Sequence, residues 1–144
     1  MIEHMTLRSL VLWPLLLVAL AGGCASSVAV YDQEAYKQAV ALRVESLALM
    51  DKAVEPYSNH EASVDALLVN LEKAYQYDRG RPGNEAVTRQ WEILKDPNHR
   101  LLGYFLQRWK DEKQLRKAYV DGQKKNVSLA YDEIISLLGS QIKQ

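Results

Sequence analysis

Cysteine is nearly absent: the chain holds one, Cys24, among 144 residues. No intramolecular disulfide can form, so a small exported domain built from this sequence must hold together by packing, or by binding something. Zinc knuckles and covalently attached haem, which need paired cysteines, are excluded with it. Glycines number seven and read as turn residues; prolines number four. Neither a phosphate loop nor a Gly-x-Ser-x-Gly nucleophile turn occurs. Charge of one sign is also lacking, because eighteen Lys/Arg balance eighteen Asp/Glu. No global field recruits nucleic acid, and no nucleic-acid partner is expected. The apolar run from Leu10 to Leu20 is eleven residues long, whereas a bilayer span needs about 20.

What is present begins with that run. Its length suits the apolar core of an export signal, and Pro14 disfavours a stable spanning helix. Arg8 supplies the preceding basic charge, while Glu3 weakens it; a start at Met5 instead of Met1 gives a cleaner basic segment. The run ends in Leu20-Ala21-Gly22-Gly23-Cys24. Ala21-Gly22-Gly23-Cys24 resembles the lipobox of bacterial lipoprotein precursors, in which small residues precede an obligate cysteine. A thiol is the nucleophile that accepts the diacylglyceryl group, and small neighbours let the signal peptidase reach the backbone. The family usually has Leu three residues before Cys; here Ala21 stands there and Leu20 one position earlier.

The resemblance covers about the first 25 residues. It implies that residues 1–23 are a signal peptide, that Cys24 is lipidated, and that two or three acyl chains anchor the chain to the membrane. One chain alone holds a protein only marginally. Ala25 follows the cysteine where an Asp commonly marks inner-membrane retention, which implies the outer membrane, facing the periplasm, for a Gram-negative source. The alternative is an ordinary secretory signal that leaves a free thiol. Residues 24–31 read as a lipidated tether, whose seven residues after Cys24 reach at most about 25 Å.

Residues 32–144 read as one all-α domain, a compact bundle of four to six helices. Asp32 can cap a first helix over 33–54. Tyr36, Val40, Val44, Leu47, Met50 and Val54 recur at helical spacing as its core face, with Leu42, Leu49 and Ala53 as a second apolar flank. Ser58 and Glu61 fit a capping box that opens a second helix, which carries Val64, Leu67, Leu68, Leu71, Ala74 and Tyr75 on one side. Asn84 heads a third helix over 85–95, with Val87, Trp91 and Leu94 inward. Asp96-Pro97 reads as N-cap and first residue of a fourth, striped by Leu101, Leu102, Phe105, Leu106 and Trp109. Beyond it the apolar face shifts by about a quarter-turn. Gly122 sits at the change, so a break is expected at 122–126 and a last helix over 127–142.

Charge is uneven along the chain. Residues 24–78 hold four Lys/Arg and nine Asp/Glu, and residues 79–125 hold twelve and six. On a regular helix Lys110, Lys113, Lys117 and Lys124 share a face, either solvated or a basic patch for anionic headgroups or an acidic partner. His60 and His99 lie near helix starts among polar residues, a poor basis for a metal site. Asp111-Glu112 and Asp132-Glu133 are adjacent on helices and so do not face each other as acid–base pairs. Tyr36, Tyr75, Tyr119 and Tyr131 fall on or beside apolar faces, as core packing or as interface residues.

No cofactor is expected, no metal, and no enzyme. In class the chain is similar to small helical lipoproteins such as secretin pilotins and assembly chaperones, which implies a module that binds another envelope protein. The alternative is a lipid-anchored periplasmic immunity or inhibitor protein. For a protein-binding surface the candidates are Leu42 and Leu49, on the second flank of the first helix, with Arg43 to orient an acidic group. Arg43 can equally lay its stem on the core with its head in water.

Overall fold

The computed structural model describes residues 28–142, so the lipobox and Cys24 lie outside the described residues. Five α-helices follow one another: α1 (Gln33–Asp51), α2 (Glu61–Arg79), α3 (Glu85–Lys95), α4 (Leu102–Glu112) and α5 (Lys117–Gly139). Short 3-10 turns at Lys52–Val54 and Tyr57–Asn59 join the first two. The all-α bundle expected from periodicity is the observed fold. Asp32 caps α1: its Oδ1 accepts from the backbone N–H of Glu34 (2.8 Å) and Ala35 (3.0 Å), which satisfies donors that a helix start leaves orphaned.

Helices α1, α2, α3 and α5 contact one another in a closed ring, and cross-links give their directions. The Tyr77 hydroxyl near the end of α2 donates to Asp32 at the start of α1 (2.8 Å). Asn84 before α3 meets Gln141 after α5 (2.5 Å), and Lys124 early in α5 meets Asp51 at the end of α1 (2.6 Å). Each helix therefore runs antiparallel to its ring neighbours, an up-down-up-down bundle. Helix α4 lies over the end far from residue 28, where Trp109 Nε1 donates to the Glu55 carbonyl (3.0 Å).

Two large rings fill the middle. Trp91 of α3 and Tyr131 of α5 pack edge to face at 5.9 Å, a geometry that the ring quadrupoles favour. Leu67, Leu71, Ile134 and Leu138 are buried around them. At the α3–α4 junction Gly103 has no room for a side chain: a Cβ there would sit 2.1 Å from the Lys95 carbonyl oxygen.

Four boundaries differ from the sequence expectation. Ser58 lies in the 3-10 turn, and the residue before α2 is His60, which makes no side-chain cap bond. The chain is held there instead by Tyr57 N–H donating to the Lys113 carbonyl (2.7 Å). Asp96 closes α3 and caps a local turn through the Asn98 N–H (2.8 Å), so α4 starts only at Leu102. Gly122 lies inside an unbroken α5; the break comes earlier, at Lys113, whose φ is +67°. That turn lets Leu115 N–H reach the Ala53 carbonyl (2.8 Å). Finally, residues 29–31 are part of the folded domain rather than free tether. Ala29 N–H donates to the Gly83 carbonyl (3.2 Å) and Tyr31 N–H to the Ile142 carbonyl (3.0 Å).

Candidate functional site

The buried face of α1 is turned in part from the sequence expectation: Met50 is buried and Tyr36, Leu47 and Val54 pack on the core as expected, but Val40 and Val44 do not. Its buried residues are Ala35, Ala39, Leu42, Ser46, Leu49 and Met50. Val40 is 38% exposed and Val44 61%. Close packing explains the turn. Tyr131 reaches across from α5 to Ser46, so α1 must be small where it faces that ring. Ser46 Oγ and the Tyr131 hydroxyl share a buried hydrogen bond (2.7 Å), and burial pushes the Tyr131 hydroxyl to a pKa far above that of a free tyrosine. Two bulky aliphatics in place of Ala39 and Ser46 would overfill this layer.

Val40 and Val44 form an outward strip, continued at its two ends by Tyr36 and Leu47, which are half-buried against the core. Tyr36, Val40 and Val44 line a shallow apolar hollow edged by Lys37 and Glu45. Leu47, one turn further, lines a second hollow with Leu129 of α5, which is 67% exposed. Spacings of four, four and three residues put the α1 members on one side of the helix. From Tyr36 to Leu47 the strip runs about 17 Å, at 1.5 Å per residue.

The partner-contact candidates are reassigned accordingly. Leu42 (5% exposed) and Leu49 (9%) belong to the core cluster, with only the edge of Leu42 reaching a surface hollow between α1 and α2. Arg43 is engaged within the chain. Its Nη2 donates to Ser128 Oγ (2.7 Å), and its Nε lies 3.1 Å from Asp132 Oδ1, which ties α1 to α5 beside the strip. Cys24, the lipidation candidate, lies outside the described residues. The lysine face dissolves because the chain turns at Lys113. Lys117 pairs with Asp121 and Lys124 with Asp51, while Lys110 sits 6.0 Å over the Tyr57 ring.

His60 contacts Glu55 (2.8 Å) and lies against the Trp109 ring; His99 contacts Asp96 (3.0 Å). The two histidines are thus held in separate local pairs. Among the described residues, no group of three or more His, Cys, Asp or Glu could hold a metal ion. Of the neighbouring carboxylates, Glu112 pairs with Arg108 and Asp132 with Arg43.

The opposite feature, a dense polar cluster, closes the end where residue 28 enters. Asp78 is 1% exposed. Its carboxylate accepts from Trp91 Nε1 (2.7 Å), Asn84 Nδ2 (2.9 Å) and Arg81 Nη1 (2.9 Å). Arg81 Nη2 donates onward to the Val30 carbonyl (2.5 Å) and to Gln141 Oε1 (2.7 Å). Burial opposes ionisation of Asp32, but the Ala35 and Glu34 N–H groups, the Tyr77 hydroxyl and the Arg81 charge outweigh it and hold that carboxyl below its ordinary range. One arginine thereby binds the incoming strand, the α2–α3 loop and the residues after α5 into a single latch. The sequence does not announce it: Asp78, Arg81 and Asn84 read as an ordinary helix end and loop, and their partners Val30 and Gln141 are far along the chain.

In comparisons with known proteins, no family model matches the chain, and neither a curated protein nor a solved structure matches it.

Proposed function

We propose that the chain is a lipid-anchored envelope protein, held through Cys24, whose helical domain binds an amphipathic helix of a membrane-associated partner on the outer strip of α1. The carrying observation is the strip itself: Val40 and Val44 exposed (38% and 61%), flanked at helical spacing by half-buried Tyr36 and Leu47. Its length of about 17 Å, from the helical rise, equals three turns of a partner helix. Helix-in-groove recognition uses apolar anchors at this repeat. Lys37 and Glu45 at the edges can pair with charges of either sign and fix the partner's direction. The anchor part of the proposal rests on Ala21-Gly22-Gly23-Cys24 behind the apolar run. An inhibitor or immunity role would use an acidic or basic face; Lys95, Arg108, Lys117 and Lys124 are paired inside the chain, and the apolar strip favours the helix-binding reading.

Photo-crosslinking in cells tests the strip. A crosslinking residue at 40 or 44 is expected to give one dominant adduct, and the same residue at 65, on exposed α2 surface, none. The adduct disappears when the remaining strip position is changed to Asp, while the thermal melt moves by less than about 1 kcal/mol, as for an exposed site. Absence of an adduct at both positions, or equal adducts at 65, overturns the strip as the binding face.

A further inference from the structure

The chain enters the fold as an extended segment whose side chains alternate in and out, as they must in extended backbone. Ala29 points inward and is 3% exposed, while Val28 (57%) and Val30 (48%) point outward. Val30 forms an isolated parallel bridge with Ile142, which is 60% exposed. Three aliphatic side chains, from the two ends of the described chain, thus make one exposed face at the latch end. Two backbone bonds and Arg81, which donates to the Val30 carbonyl (2.5 Å), hold it in place. Arg81 is turned inward to Asp78 (2.9 Å) and Asp32 (3.7 Å), so the face offers aliphatic surface rather than its charge.

Because residue 29 is already fixed to Gly83, only the links from Cys24 to Val28 remain as tether. Four residues span at most about 14 Å, whatever their conformation. That is roughly half of the reach allowed by a tether running to residue 31. Three aliphatic side chains are too few to hold a free domain on a bilayer. On a tether this short the contact is intramolecular, at an effective concentration on the order of millimolar or above.

We propose that the face formed by Val28, Val30 and Ile142 seats on the bilayer surface, so that the bundle stands end-on with the latch at the membrane and the α4 end away from it. This rests on the reading of Cys24 as the lipid anchor. It also fixes how the α1 strip is offered. The helix axes rise from the bilayer, and Tyr36 is the strip residue nearest the membrane while Leu47 is the farthest. Aliphatic contact makes the seating largely independent of anionic lipid, in contrast to a polybasic surface.

The test imposes the anchor chemically, so its outcome is separate from whether cells lipidate Cys24. The chain from Cys24 to Gln144 is coupled through its one thiol to a maleimide lipid in phosphatidylcholine vesicles. Single tryptophan probes are placed by Ile142→Trp, Val30→Trp or, at the far end, Asn59→Trp. The native Trp91 and Trp109 are buried and give a constant background. Lipids brominated near the headgroup end of their chains are expected to quench the probes at 142 and 30 at least threefold more than the probe at 59. Val28→Ser with Val30→Ser, in the I142W background, lowers that quenching by half or more at an unchanged circular-dichroism spectrum. Equal quenching at 142 and 59, or none at 142, overturns the proposal. So does a lipid-free dimer lost on Ile142→Ser, which assigns the face to a second copy instead.

Discussion

The two sides of α1 are built differently. The inner side is dense and mixes small with large: Ala35, Ala39 and Ser46, the last bonded to the Tyr131 hydroxyl, alternate with Leu42, Leu49 and Met50. The outer side carries the β-branched Val40 and Val44 in a shallow hollow at the surface, with Tyr36 and Leu47 half-buried at its ends. The difference teaches that bulk marks the core face only when the opposite elements leave space for it. Where they do not, bulky aliphatics are left on the outside, and a contiguous strip of them is a surface that a partner can cover.

The largest expected effect falls on the inner side. Leu42→Ser with Leu49→Ser removes two buried side chains, each worth about 2–5 kcal/mol as a large-to-small change. Their combined loss approaches the whole stability of a small domain, about 5–15 kcal/mol. The double variant is expected to lose cooperative thermal unfolding, read by circular dichroism. A melt like that of the parent would show α1 to be turned the other way.

Asp78→Ala comes next and probes the latch. It leaves the Trp91 and Asn84 donors buried without their acceptor and takes a charge partner from Arg81. Breaking such a pair costs about 3–5 kcal/mol, and chemical denaturation measures it. A loss under about 1 kcal/mol would mean that the network contributes packing only.

The smallest effect is acid sensitivity. Hydrogen bonds and the Arg81 charge depress the Asp32 carboxyl against the opposing effect of burial. Its stabilising contribution is therefore complete above the unfolded value of about 4. It is lost as the pH falls through the lower, folded value. Glu55, Glu72 and Asp96 are depressed as well, through hydrogen bonds from His60, from Gln76 and Lys95, and from the Asn98 backbone respectively. Stability is expected to decline below about pH 4, and Asp32→Asn should flatten part of that decline. An Asp32→Asn profile identical to the parent contradicts the assignment.

Much of the fold was legible because its signals are local. Val87, Trp91 and Leu94 sit on α3 as their spacing implies, and Leu102, Phe105, Leu106 and Trp109 are buried along α4. Asp32 caps α1 as its position suggests. What was not legible depends on distant partners. The turn at Lys113 has neither Gly nor Pro to mark it, and it exists to pair with Tyr57 and to bring Leu115 to Ala53. Gly122 reads as a helix breaker, yet it lies exposed on a continuous helix with nothing within 4 Å of a Cβ. The orientation of α1 depends on how much room Tyr131 leaves, and no window of the α1 sequence contains that information.

The most direct test of the turned face of α1 is thiol labelling in a Cys24→Ser background. Leu42→Cys and Val44→Cys are compared for their rate of reaction with a small maleimide under native conditions. A thiol at 44 is expected to react as fast as in unfolded chain, and one at 42 more slowly by roughly a hundredfold or more, since it must await local opening. Equal rates, or protection at 44 with free reaction at 42, would contradict the account.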